Sequence, residues 1–372
     1  MLSLPLHKSV TCNMVKPLTS FFEEHTSVDI SAIAADITAL NESRAAAVSV
    51  TDPSPINMSK LLQYNHHLSG VVVRLASYER EINFQFGWID AYRPTQQIMG
   101  SSIYYEWSCV LWNLAALESL AGSRVDRLNE DGIKTACKHF QQAAGLVDFI
   151  KDNCLPHLMQ KYSTALSAEC LNMAKHLMLA QAQQCFYEKA VMGQKTGTMK
   201  PAIVAKLGQQ ASSYYNQVFG ISQQAGLSSI TDPAFRAYVQ FNSQAYAGCA
   251  EYWAAMAAKE TALQKGTGYG EEIVRLGRAE MILTQSASIA KTGKLQMSVT
   301  AMPESLLRSS IKAKNAAIKD NSSIYLEPLP AENLVAIVVP IAMVKPIFNV
   351  ECGDTGKELL QSFVPKHVLA LV

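Results

Sequence analysis

From about Ser102 to Val274 the apolar residues of this chain recur at three- and four-residue steps, and no linker-like stretch divides them. Trp107, Val110, Leu111, Leu114 and Leu117 form one such series; Ile133, Cys137, Phe140, Ala144 and Val147 form another. That spacing puts each series on one face of an α-helix, and such a face must be buried against a neighbour. Alanine is frequent on the same faces, as at Ala115, Ala116, Ala143, Ala144, Ala254 and Ala255, so neighbouring helices can approach closely. A long run of such helices folds by stacking hairpins, as tetratricopeptide-like solenoids do, although no clean 34-residue repeat is present. The expectation is one large, mainly α domain over residues 1–372, with a helical core at about 102–292.

The flanks read differently. Leu2, Leu4 and Leu6 alternate as in a short strand. Residues 28–43 suggest a first helix, and Pro55 fits the first turn of a second, running to about Ile82. Phe84, Phe86, Trp88 and Tyr92 form an aromatic cluster in what reads as a loop. After about Asp320 the helical pattern stops. Pro328, Pro330, Pro340, Pro346 and Pro365 punctuate an extended segment, about 320–372, in which residues 335–339 suggest a strand. That segment is too apolar for a free linker and is expected to pack back along the helices.

Composition narrows the function. With 372 residues, 49% of them hydrophobic, the chain can bury a sizeable core. Thirty-two Lys+Arg against 31 Asp+Glu gives a net charge of +1, which argues against a broad basic field for nucleic acid. The 8 cysteines show no C-x-x-C spacing and several sit inside helical patterns, so reduced structural thiols are expected, in a cytosolic setting. Residues 1–7 do not read as a signal peptide, and the longest apolar run, 334–344, is too short to span a bilayer. Residues 369–372 offer no prenylation box, so membrane contact is expected to be indirect or peripheral.

No motif asks for catalysis, and no cofactor or metal site is expected. The run GTGYG at 266–270 follows a helical segment rather than a strand, so it reads as a turn between helices and not as a dinucleotide fingerprint. GQKTGT at 193–198 lacks a P-loop ending and also reads as a turn, with Pro201 opening the next helix. His66 and His67 are adjacent and point about 100° apart on a helix, a poor arrangement for one metal. His139 and His176 fit surface or interhelical hydrogen bonds. Lys134 and Lys138 share one helix face with Glu130 and Asp131 a turn earlier, which fits either a solvated face with an ion pair or a partner-binding role.

Residues 105–117, YEWSCVLWNLAAL, resemble a segment of the Bro domain (Bro-one) family, and further segments agree in order. They include FGWIDAY at 86–92, DGIK and KHFQ within 131–141, LMLAQAQ at 177–183, YGEEI with Arg275 and Leu276, KDN at 319–321, MVKP at 343–346, and Val364 with Pro365. The resemblance spans nearly the whole chain. It implies a curved, banana-shaped, mostly helical domain with a tetratricopeptide-like core and a small β-sheet. It also implies binding rather than catalysis: a hydrophobic groove that receives the C-terminal amphipathic helix of an ESCRT-III subunit of the charged multivesicular body protein type, at endosomes.

Carried over position by position, the groove falls on Phe186, Ile203 and Leu207, with Lys134 and Lys138 beside it to meet acids on the partner. An aromatic and two aliphatics at this spacing are, by themselves, more often core. Two departures stand out. The chain is longer than the family pattern between Phe186 and Ile203, through the loop at 193–200, and residues 322–326 differ around Tyr325. Two other readings stay open: a helical-repeat scaffold recruiting another partner, such as a protease or deubiquitinase in pH signalling or sorting, and an enzyme, which needs a convergent polar pocket with perturbed titratable groups.

Overall fold

Three prolines set helix starts where they stand in the sequence. Pro55, Pro201 and Pro233 each occupy the first helical position, where a missing N–H costs nothing. Asp29 and Asp232 cap two helices through their carboxylates, which accept from the Ser31 N–H at 2.9 Å and the Phe235 N–H at 2.6 Å. In the computed structural model, residues 1–10, 12–26, 28–159, 162–352, 359, 360 and 363 are described. Val364, Pro365 and residues 369–372, singled out above, lie outside them.

Among the described residues the helices are α1 (Val15–His25), α2 (Ile30–Val48), α3 (Pro55–Leu75), α4 (Glu79–Ile82), α5 (Ile103–Arg124), α6 (Glu130–Phe149), α7 (Ala168–Lys195), α8 (Pro201–Ser222), α9 (Ala225–Ser228), α10 (Pro233–Lys265), α11 (Tyr269–Thr292) and α12 (Met297–Asp320). Three short strands, β1 (Lys8–Ser9), β2 (Phe86–Ile89) and β3 (Gln97–Gly100), form one antiparallel sheet in the order β1-β2-β3. The mostly helical fold with a small sheet is as expected. The chain forms two compact units interleaved in sequence: residues 1–124, 139–175 and 346–372 in the first, residues 125–138 and 176–345 in the second.

In the first unit the sheet register sets Lys8 opposite Ile89 and Phe86 opposite Gly100. The strand expected at Leu2–Leu6 does not form. There the main chain is bound by side chains of α5 instead: the Leu4 N–H donates to Ser119 Oγ at 2.8 Å and the His7 N–H to Asn113 Oδ1 at 2.8 Å. The aromatic cluster read as a loop is β2 and its approach, with Phe84, Phe86 and Trp88 fully buried. Deep in this unit, Arg44 donates to Glu106 at 2.8 Å, and the Tyr64 hydroxyl (2.9 Å) and Trp88 Nε1 (2.6 Å) donate to the same carboxylate.

In the second unit, α8 packs on α10, α10 on α11, and α11 on α12. Tyr187, Tyr215 and Tyr246 are buried between them, and the Trp253 Nε1 donates to the Tyr187 hydroxyl at 3.1 Å. The GTGYG run is a helix-to-helix reversal, and the Glu327 carboxylate accepts from the N–H groups of Gly268 and Tyr269. The long helices run through α12 to Asp320, where the sequence pattern places their end.

After α12, residues 321–345 pack within the second unit and residues 346–352 within the first, but residues 335–339 are not a strand. Two of their carbonyls are taken by side chains: Arg275 donates to Ala336 O at 2.9 Å, and Arg278 donates to Val335 O. Within the first unit, Phe348 stacks on Phe149 at 4.1 Å, and the Ile347 N–H donates to Gln141 O at 2.9 Å.

Candidate functional site

Phe186, Ile203 and Leu207 line one cavity of about 560 Å³ in the second unit. Phe186 stands on α7; Ile203 and Leu207 stand one turn apart on α8 and so share a face. Their exposures differ. Ile203 is 42% exposed and Phe186 is half-buried, whereas Leu207 is 4% exposed and forms the floor. An apolar face left this open is a docking surface or an ordinary surface irregularity; a sealed interior position it is not.

The rear of α7 is fixed by a chain of hydrogen bonds. Arg127 Nε donates to Glu188 Oε2 at 3.0 Å, Gln184 Nε2 to Glu188 Oε1 at 2.9 Å, and the Tyr215 hydroxyl to Gln184 Oε1 at 2.8 Å. Burial pushes the Cys137 thiol up to about 12, so it stays neutral. These contacts hold Phe186 in place without occupying the cavity.

Sequence reasoning missed half of the wall. Ile341 and Met343 line it from the segment after α12. Gln183, fully buried, clips that segment down: its Nε2 donates to Ile341 O at 3.0 Å and its Oε1 accepts from the Met343 N–H at 3.0 Å. The Ile341 N–H also donates to Lys206 O at 3.2 Å. The signal was a polar residue at an apolar helix position, legible only once the extended segment lies beside it. Met192, Gly193, Thr196, Thr198 and Met199 supply the opposite wall from the end of α7 and the longer turn.

Lys134 and Lys138 do not line the cavity. Glu130 does, and its carboxylate accepts from Lys134 at 3.0 Å and Lys189 at 2.9 Å. Hydrogen bonds from Lys189 and Lys134 hold the Glu130 carboxyl below its usual range, and the bond to Glu130 raises Lys134. Lys138, a turn further on, is exposed and has no ion-pair partner among the described residues. His139 makes an interhelical contact, Nδ1 to Glu118 Oε2 at 2.6 Å.

Among the described residues no group of three or more His, Cys, Asp or Glu is placed to hold a metal, and no helix is long and apolar enough to cross a membrane. A second cavity, of about 460 Å³, has an alanine-rich lining from α8 and α10, with Lys206 and Arg275 at its edge.

The chain is similar to several known proteins. It is 28% identical to the pH-response regulator protein palA/RIM20 of Emericella nidulans, over 99% of this chain and 43% of that protein. It is also 28% identical to the vacuolar protein-sorting protein BRO1 of Gibberella zeae, over 98% of this chain and 37% of that one. The chain thus spans well under half the length of these curated relatives. A solved ALIX BRO1–CHMP4C complex superposes with a TM-score of 0.83 at 26% identity, covering 97% of this chain and 99% of that one. The family model for the BRO1-like domain matches residues 1–371, and the chain belongs to that family.

Proposed function

We propose that residues 1–372 act as one Bro-one domain, an adaptor that receives the C-terminal amphipathic helix of an ESCRT-III subunit in the cavity lined by Phe186, Ile203 and Leu207. The work is endosomal sorting or membrane remodelling, with the protein recruited to endosomes from the cytoplasm. One observation carries the reading: these three side chains, from two successive helices, line a single, mainly apolar cavity. The structural neighbour solved as a complex with CHMP4C and the vacuolar-sorting relative support it. Lys134, paired with the cavity-lining Glu130, and Lys138, a turn further on, are the lysines this reading assigns to acids on the partner's polar face.

Covering Ile203, the exposed part of Phe186 and the partner helix's own apolar side chains contributes roughly 5–8 kcal/mol gross. Association and helix ordering consume several kcal/mol of that, so a Kd of order micromolar is expected. The test is a calorimetric titration of the full chain with an ESCRT-III C-terminal helix peptide. Ile203 is the position to change, because it is exposed enough to take a charge without disturbing the core, as Leu207 is not. Ile203→Asp should cost about 2–4 kcal/mol, or roughly 30- to 1000-fold in Kd. Phe186→Ala should weaken binding in the same direction. An unchanged Kd for Ile203→Asp sinks the assignment. The palA/RIM20 relative favours a second reading, a scaffold for another partner in pH signalling; an ESCRT-III peptide that binds no better than an unrelated amphipathic helix decides for it.

A further inference from the structure

The wall between Met192 and Met199 differs in kind from the floor of the cavity. Three methionines line the space, and they come from three places: Met192 near the end of α7, Met199 from the turn before α8, and Met343 from the segment after α12. A methionine side chain is unbranched, turns about three bonds and is polarisable, so it fills whatever shape is offered. Because the three have separate backbone origins, one can move without the others.

The backbone beneath them is fixed. Gly193 O accepts from the N–H groups of Thr198 at 2.8 Å and Met199 at 3.1 Å, and from the hydroxyls of Thr196 and Thr198 at 3.1 and 3.0 Å. Gly197 closes the turn at φ 74°, a left-handed conformation that favours glycine. A Cβ on Gly193 would sit 3.1 Å from the Met199 Cβ, so the doubling-back is tight. Adaptability therefore lies in the side chains and not in a loose loop. The charged rim is set apart: Lys189, which lines the cavity, and Lys134 converge on Glu130, and Lys134 also reaches Asp131.

We propose that this methionine-lined pocket accepts apolar anchors of different shape with nearly equal affinity, and that selection falls to acidic residues on the partner helix meeting the lysine rim. The inference rests on the reading of the cavity as a helix-docking site and names the partner's chemistry: an amphipathic helix with one large apolar anchor of variable shape and acids beside it. A rigid pocket separates ligands differing by one methylene by about 10- to 200-fold. Here the spread should be far smaller.

The experiment titrates the full chain with synthetic amphipathic helices identical except for Leu, Met or Phe at the anchor, plus a Leu peptide with its polar-face Glu residues changed to Lys. The Leu, Met and Phe peptides should bind within about threefold of one another, and the charge-reversed peptide at least about tenfold more weakly. In Met192→Val/Met199→Val, stiff β-branched walls should widen the anchor spread beyond about tenfold. Met343→Val, on a separate segment, gives the same readout should the double variant fold poorly. A wild-type spread beyond about tenfold, or a spread unchanged in both variants, overturns the proposal while leaving docking intact. A charge-reversed peptide that binds as tightly as its parent also overturns it. If no peptide binds, and Ile203→Asp changes nothing, the docking reading falls and this one with it.

Discussion

Glu106 has no exposed surface, yet its carboxylate is fully engaged by Arg44, Tyr64 and Trp88. The Arg44 guanidinium also lies 5.9 and 5.8 Å from the Phe86 and Trp88 ring centres. Burial works against the Arg44 charge, but Glu106 more than offsets it and the Arg44 pKa is raised; burial and then Glu106 push Tyr64 up as well. Removing one member of such a set leaves a buried charge without its partner. Glu106→Ala should therefore cost about 3–5 kcal/mol in urea unfolding. Arg44→Met/Glu106→Leu, which removes both charges, should cost clearly less than the sum of the single changes. Strictly additive losses would show that the two do not act as a unit.

At the scale of elements, the segment after α12 is held by side chains reaching up from helices, and Gln183 is the clip nearest the cavity. Gln183→Ala should leave the helices intact, lower stability by about 1–3 kcal/mol, and speed protease cleavage within residues 335–345. Cleavage at the wild-type rate would mean that Arg275, Arg278 and the Lys206 carbonyl suffice. The same feature explains what the sequence could and could not disclose. Helices α5 to α8, α10 and α11 were legible because their apolar period is long and their starts carry Pro or acids. Phe86–Ile89 was misread because Phe86, Gly87 and Trp88 are all buried, so the strand shows no alternation. Residues 2–6 and 335–339 look like strands, but their main chain finds partners on helices; local pattern does not report that choice. Likewise, Phe186, Ile203 and Leu207 were singled out through resemblance. Ile341, Met343 and Gln183 complete the cavity only through the path of a distant segment.

Across the whole molecule, thiols in both units share one property. Burial pushes Cys137, Cys154 and Cys249 up to about 12 from an ordinary value of 9.0. The folded protein keeps these protons while the unfolded chain gives them up above pH 9. Their contribution is therefore intact below pH 9 and is lost as pH rises toward 12, roughly 1 kcal/mol per thiol by pH 10. Urea midpoints should fall between pH 8 and pH 10, and a Cys137→Ala/Cys154→Ala/Cys249→Ala variant should show a flatter profile; identical slopes would refute this origin. Ile341 and Met343 carry a practical corollary. A fragment trimmed just after Asp320 keeps every long helix, and by circular dichroism it would pass as sound. Its pocket, however, would lack the wall that Ile341 and Met343 supply, so any fragment used to test binding there must reach beyond residue 343.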